Sequence, residues 1–167
     1  MTIAPTLDDL DDLGVLLRLE VPPEFEDLNG HVNVRHHYAM HMEGVEKAFV
    51  EQLGVDEARA ALGDGTFSLT HHIVFHSEIL IGHEVSVHLR LLDRSDKIIH
   101  AMTILANRTT GRVASTIEFI EAHVDLTARR VTLMGEDLAS ALDDLIDRHR
   151  GLTWDLPLSQ PLGVRGG

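Results

Sequence analysis

Between Phe25 and Asn33 the chain reads FEDLNGHVN. A carboxylate (Asp27), two amides (Asn29 and Asn33), a glycine (Gly30) and a histidine (His31) crowd together directly ahead of a helical pattern. One reading is a capped turn, with Asp27 tying down local amides and Asn33 capping the helix. The other is chemical. A carboxylate held at a helix start can accept a proton or attack an electrophilic carbon. The unshared N–H groups of the first turn, near Val34 and Arg35, can stabilise an oxygen that gains negative charge, and the helix dipole favours the same charge there. Gly30 lets the backbone approach a ligand closely. Turn formation and capping are the expected duties of Asn29 and Asn33, and His31 suits either fixing the turn or touching substrate.

Such a loop needs elements to hold it. VLLRLEV (Val15 to Val21) reads as a first strand, stopped by Pro22 and Pro23. From Val34 to about Leu53, Tyr38, Met42, Val45, Phe49 and Leu53 recur at spacings of three and four, which predicts a long helix. Asn33 caps it and Gly54 stops it. The stripe Tyr38, Met42, Val45 and Phe49 is expected to face a sheet, with Glu46, Lys47 and Glu51 off it. Asp56 to Leu62 reads as a short second helix. The period then drops to two: Phe67, Leu69, Ile73 and Phe75 alternate, as do Val85, Val87, Leu89 and Leu91. Lys97 to Asn107 and Arg112 to Val124 are further apolar runs, and the short links between the runs predict an antiparallel meander. Leu138, Leu142, Leu145 and Ile146 mark a last amphipathic helix ending near Gly151. Asp8 to Asp12 (DDLDD) reads as a solvated arm. The tail from Leu152 has no clear period, and Trp154 is expected to pack onto the domain.

This order predicts an α+β domain in which an antiparallel sheet buries one long helix. The 167 residues fit a single domain, with a core about 13–126 and a C-terminal helix and tail about 135–167. A net charge of -13 argues against a nucleic-acid or anionic-membrane surface, although local Arg and Lys side chains can still receive the phosphates of a small ligand. No apolar run is long enough to span a bilayer, and the acidic N-terminus does not read as a secretory signal. The absence of cysteine excludes disulfides and thiolate metal sites and suits a cytoplasmic protein. Twelve histidines invite a metal hypothesis. His37 and His41 can share a helix face, and His72 and His76 a strand face, with Glu78 beyond. No recognised metal motif accompanies them. The expectation is therefore no metal and no cofactor, with these groups near a helix–sheet or subunit seam.

The pattern Asp27-Leu28-Asn29-Gly30-His31-Val32-Asn33, after a first strand and before a long helix, resembles the hotdog-fold acyl-CoA thioesterases. It is most similar to the 4-hydroxybenzoyl-CoA thioesterase-like branch. The segment from His71 to Met102 resembles that branch's second and third strands, with Glu78, Gly82 and Leu91-Leu92-Asp93 in the same order. ASTIEFIEAHVD (Ala114 to Asp125) resembles its last strand. The resemblance runs from about Val15 to Asp125. It departs at His37, where the family usually carries an aromatic residue ten positions after the motif acid; here Tyr38 follows instead, and no role is carried onto either. Thioesterases acting on quaternary-ammonium acyl-CoA substrates linked to carnitine metabolism share much of the strand pattern. With Trp154 and Tyr38 the sole residues of their types, few aromatics are at hand for a cation–π pocket.

The resemblance implies a hotdog fold, an acyl-CoA substrate, and a homodimer or higher oligomer whose subunits share active sites. A thioester is poorly stabilised by resonance and its thiolate leaves readily, so hydrolysis needs a base or nucleophile and oxyanion donors more than a strong acid. Asp27 is expected to be that base or nucleophile, with the first-turn amide of Val34 as donor and Asn29, Gly30 and His31 completing the loop. Glu43 is the alternative acid, since another hotdog branch uses a helix carboxylate. A non-catalytic acyl-thioester binding module and a hotdog dehydratase are the alternative functions.

Overall fold

The computed structural model describes residues 4–158. In chain order the elements are α1 (Leu7–Asp11), β1 (Leu17–Glu20), a 3-10 turn (Pro23–Phe25), α2 (Val34–Leu53), α3 (Glu57–Ala61), β2 (Asp64–Phe75), β3 (Glu84–Arg94), β4 (Ile98–Asn107), β5 (Arg112–Asp125), β6 (Arg130–Val131) and α4 (Glu136–Arg150). The strands form one antiparallel sheet in the order β1-β3-β4-β5-β2, with β6 beside β5. This is the hotdog arrangement, a curled sheet with α2 against its face.

α2 begins where Asn33 Oδ1 accepts from the Arg35 N–H, and it ends at Gly54 in the left-handed region (φ 64°). Its buried face differs from the expected stripe. Phe49 is buried, but Met42 and Val45 are half-buried and Tyr38 is 43% exposed. The residues turned inward are His37, Met40, His41, Gly44 and Ala48. The reason is distance. A Cβ built on Gly44 would lie 2.5 Å from Val87 Cγ1, so the helix rides on β3 too closely for large side chains there. The bulkier stripe is displaced to the flank facing α3 and β2, where Met42, Val45 and Phe49 line a groove with Val55 and Leu126.

α4 joins the same layer. Leu138, Leu142, Leu145 and Ile146 pack with Phe49, Leu89, Ile99, Ile117 and Phe119. Its His149 Nδ1 accepts the Leu91 N–H at 2.9 Å. The opposite face of the sheet is also covered: Met102, Ile104 and Ala106 lie under Leu10, Leu13, Trp154 and Leu156. Trp154 packs onto the domain as expected, with the Arg90 guanidinium 4.7 Å above its ring.

The acidic run Asp8 to Asp12 is not a solvated arm. Most of it is α1, nucleated by a capping box between Thr6 and Asp9, with Leu10 buried. Asp11 accepts two guanidinium bonds from Arg108, at 2.7 and 2.9 Å. Two leucines at positions three apart, beside a cap, outweighed the charge.

Candidate active site

The loop before α2 is a built hairpin. The Asp27 N–H donates to the His31 carbonyl (2.9 Å), the Gly30 N–H to the Asp27 carbonyl (3.1 Å), and the Asn33 N–H to the Phe25 carbonyl (2.9 Å). Gly30 sits at φ 78°, a conformation that any side chain would strain. The Val32 N–H donates to the Ile79 carbonyl (2.9 Å), which fastens the loop to the segment after β2. The sequence therefore places a polar turn against the exit of a strand, and a cleft opens between them.

That cleft, of about 450 Å³, is walled by His31, Val32 and Val34 on one side and by Phe75, His76, Ser77, Glu78 and Ile79 on the other, with His37 between. Of the expected site residues, His31 and Val34 reach it. Asp27 sits behind His31 and is not part of the wall: its Oδ1 accepts the Asn29 N–H at 2.8 Å and lies 3.6 Å from His31 Nδ1. His31 Nδ1 is also 3.2 Å from the Val32 carbonyl, an acceptor, so Nδ1 carries a proton, and in the neutral ring Nε2 is a lone pair. Asn29 and Gly30 are exposed at the loop tip. Glu43 is exposed more than two turns along α2 from Val34 and is not brought to the cleft.

The helix-start donors divide unequally. The Arg35 N–H is taken by Asn33 Oδ1 (3.1 Å), and those of His36 and His37 go to the Asn33 carbonyl. The Val34 N–H has no hydrogen bond among the described residues. It is the amide left to meet a ligand oxygen.

His37, which stands where the family usually carries an aromatic residue, also lines the cleft. It lies one turn after Val34, so both face the cleft. Its ring is edge-on to Phe75 (centroids 5.2 Å apart), and its Nδ1 lies 2.9 Å from Ser115 Oγ. Behind it, His41 spans Ser115 Oγ (Nε2, 2.9 Å) and Thr103 Oγ1 (Nδ1, 2.7 Å). Burial, then the nearby His31, pushes the His37 pKa down to about 4; burial, then His37, pushes that of His41 down to about 3. Both rings are neutral near pH 7. The helical spacing of His37 and His41 was visible in the sequence; the strand hydroxyls that engage them were not. Among the described residues no three His, Asp or Glu side chains gather as a metal site.

Residues 21–142 match the model of the thioesterase-like superfamily, and the chain belongs to that superfamily. It is 28% identical, over 141 residues, to a betainyl-CoA thioesterase of Pseudomonas aeruginosa, covering 83% of this chain and 88% of that protein. It is 26% identical, over 137 residues, to part of an L-carnitine dehydrogenase/betainyl-CoA thioesterase of Rhizobium meliloti; the match takes in 82% of this chain but only 27% of that longer protein. A Staphylococcus aureus protein solved in complex with CoA shares the fold with a TM-score of 0.75 at 20% identity, over 90% of this chain and 92% of that one. No helix among the described residues is long and apolar enough to cross a membrane.

Proposed function

We propose that this protein is an acyl-CoA thioesterase. The observation that carries the reading is that His31, with Asp27 behind it, and Val34, whose amide is unshared, line one cleft. Water attacks the acyl carbon, and the carbonyl π electrons move onto oxygen, where the Val34 N–H receives the charge. The water proton passes to Asp27, directly or through the lone pair of His31 Nε2. Collapse of the tetrahedral intermediate expels the CoA thiolate, which takes up a proton, leaving a carboxylic acid and CoA. Attack by Asp27 itself, through a mixed anhydride that water then opens, gives the same products. The position of His31 between Asp27 and the cleft favours the relayed route in the subunit as it stands.

The acyl group is proposed to be betainyl or another small quaternary-ammonium acid. The relatives point there, and the cleft wall offers one carboxylate, Glu78, and the ring of Phe75 to a cation. A second copy of the chain is proposed to pair along β2. That strand lies at the sheet edge and leaves Phe67 37%, Leu69 55% and Phe75 49% exposed, an arrangement that invites a partner strand.

A panel of acyl-CoA thioesters, including betainyl-CoA and straight-chain acyl-CoAs, tests the reading by release of free thiol. Asp27→Asn keeps size and turn bonding and should slow hydrolysis by ~100-fold or more, while Glu43→Gln stays near the parent. His31→Gln should approach the Asp27→Asn loss if the proton is relayed. An active Asp27→Asn with a dead Glu43→Gln moves the chemistry to α2, and binding without thiol release makes the protein an acyl-thioester binding module.

A further inference from the structure

The buried chain behind His37 fixes which of its nitrogens carries the proton. Thr103 is fully buried, and its hydroxyl has one hydrogen-bond partner among the described residues, His41 Nδ1 at 2.7 Å. A buried hydroxyl proton needs an acceptor. The Thr103 proton therefore goes to His41 Nδ1, and neutral His41 must carry its own proton on Nε2. That N–H donates to Ser115 Oγ, 2.9 Å away. Ser115 is itself fully buried, and its remaining partner is His37 Nδ1 at 2.9 Å. Its hydroxyl proton goes there, so His37 Nδ1 is an acceptor. The reverse order leaves the Thr103 proton stranded. Two donations into Ser115 would strand the serine proton instead. Only one arrangement satisfies both hydroxyls, and it places the His37 proton on Nε2.

Nε2 of His37 has no hydrogen bond among the described residues. It is also absent from the buried unpaired side-chain atoms, which there are His71 Nε2 and Trp154 Nε1. It thus reaches accessible surface, and the surface its ring forms is the cleft wall. We infer that His37 is a catalytic residue that donates its Nε2–H to the thioester oxygen as the second oxyanion donor beside the Val34 amide, and that Ser115, His41 and Thr103 are positioning residues that hold it in this tautomer. The inference rests on the thioesterase reading for the identity of the ligand oxygen, but not for the tautomer. A neutral imidazole is well matched to this role. It donates without bringing a charge into the site, and its depressed basicity makes it a poor competitor for the water proton. Val34 and His37 are one helical turn apart and line the same cleft, so an unshared backbone N–H at the helix start and a side-chain N–H lie at one wall.

The tautomer is read directly by two-bond nitrogen–proton correlation on the nitrogen-15-labelled full chain near neutral pH, with His37→Gln identifying the signals. The expected result is Nε2–H for both His37 and His41; Nδ1–H or a charged ring at His37 overturns the inference. Kinetics on the fastest thioester of the panel follow. His37→Leu should lose ~100-fold or more in kcat with little change in KM, the effect of removing one oxyanion donor, whereas His37→Gln, which retains an N–H, should stay within ~10-fold of the parent. Ser115→Ala should release the His37 proton to both nitrogens and lower kcat, again with KM held. Equal kcat for His37→Leu and the parent overturns the donor role even if the tautomer is as expected. If no thioester is hydrolysed, the thioesterase reading fails and the tautomer measurement alone decides whether His37 offers its N–H to the cleft.

Discussion

Gly44→Ala sets two opposite effects against each other. Alanine in the middle of α2 gains helix propensity of about 1 kcal/mol over glycine. Its methyl group, however, would meet Val87 Cγ1 at 2.5 Å, Val87 Cβ at 3.2 Å and Leu16 Cβ at 3.8 Å. Ordinary carbon contacts lie near ~3.5–4.0 Å, so the first contact needs a shift of about 1 Å. Rotating Val87 moves Cγ1 but leaves Cβ in place. The β3 backbone cannot retreat, because Val87 is paired with Leu17 of β1 on one side and Leu105 of β4 on the other. The helix must lift. Overpacking of this kind costs about 1–3 kcal/mol, and a contact this short against a fixed strand belongs in the upper half of that range, about 2–3 kcal/mol; with the propensity gain subtracted the net loss is about 1–2 kcal/mol.

Thermal melting measures it, at roughly 2–4 °C per kcal/mol for a domain of this size. Val87→Ala in the same chain removes Cγ1, the atom of the shortest contact, and leaves Cβ. The double variant should therefore be less destabilised than the sum of the singles, a coupling that a double-mutant cycle reads directly. The lift also carries Val34 and His37 with it, and a displacement of ~1 Å can cost ~100-fold in rate. Thiol release by Gly44→Ala, assayed where it is fully folded, should therefore fall more than its stability does. A Gly44→Ala protein that melts at or above the parent would show that α2 does not press on β3, and the account of its buried face would fail with it.

The buried histidines predict acid sensitivity. His37 and His41 titrate at about 4 and about 3 in the folded chain, while the unfolded chain binds their protons near ~6.5. Stability from them is thus complete above the unfolded value and is lost as pH falls toward the folded values, on the order of 1–2 kcal/mol per ring between pH 7 and pH 5. Denaturant melts across that range check it, and a flat profile refutes it; His149, also pushed down to about 4 by burial and by Arg148 and Arg90, acts in the same direction. Hydrolysis should survive exhaustive chelation, and loss of activity restored by one transition metal would move the histidines into a metal site. Leu69→Arg, on the exposed edge strand, should shift the sedimentation of the protein toward the monomer, whereas unchanged sedimentation would place any partner elsewhere.

Much of the fold was legible because its elements carry their own punctuation. Asn33 and Gly54 bound α2 to the residue, and period-two alternation separated β2 and β3 from the helices. α1 is hidden in the sequence by its run of charges, although Thr6 and Asp9 already carry the capping box that starts it. β6 is a two-residue strand, and nothing in Arg130–Val131 alone marks it; its pairing with Val124 and Asp125 makes it one. The buried face of α2 differs from its apolar stripe for a different reason. Hydrophobic periodicity locates the apolar stripe, but which face meets a sheet also depends on how near the axis can come. Gly44 and Ala48, apolar but small, admit the closest approach and so win the contact from larger Met42 and Val45.

The same rotation explains the legibility of the site. The loop residues lie adjacent in sequence, and their turn, cap and left-handed glycine follow from residue type. The functional weight that residue type puts on Asp27 is then tempered by orientation, since the carboxylate stands behind His31 and its hydrogen bonds are with its own turn. His37 could be appreciated only after α2 had been turned to bring it inward. Even then its chemistry depends on Ser115 and Thr103, 78 and 62 positions along the chain from the histidines they bond, on strands whose sequence does not mark which hydroxyl faces α2. Burying two imidazoles at a helix–sheet seam is unfavourable unless every proton has an acceptor, and here that requirement runs in one direction, outward to the cleft. A polar chain of this kind contributes little to the core that leucines could not. What it does supply is a fixed N–H at the cleft wall, one helical turn from the amide that the Asn33 cap leaves unshared.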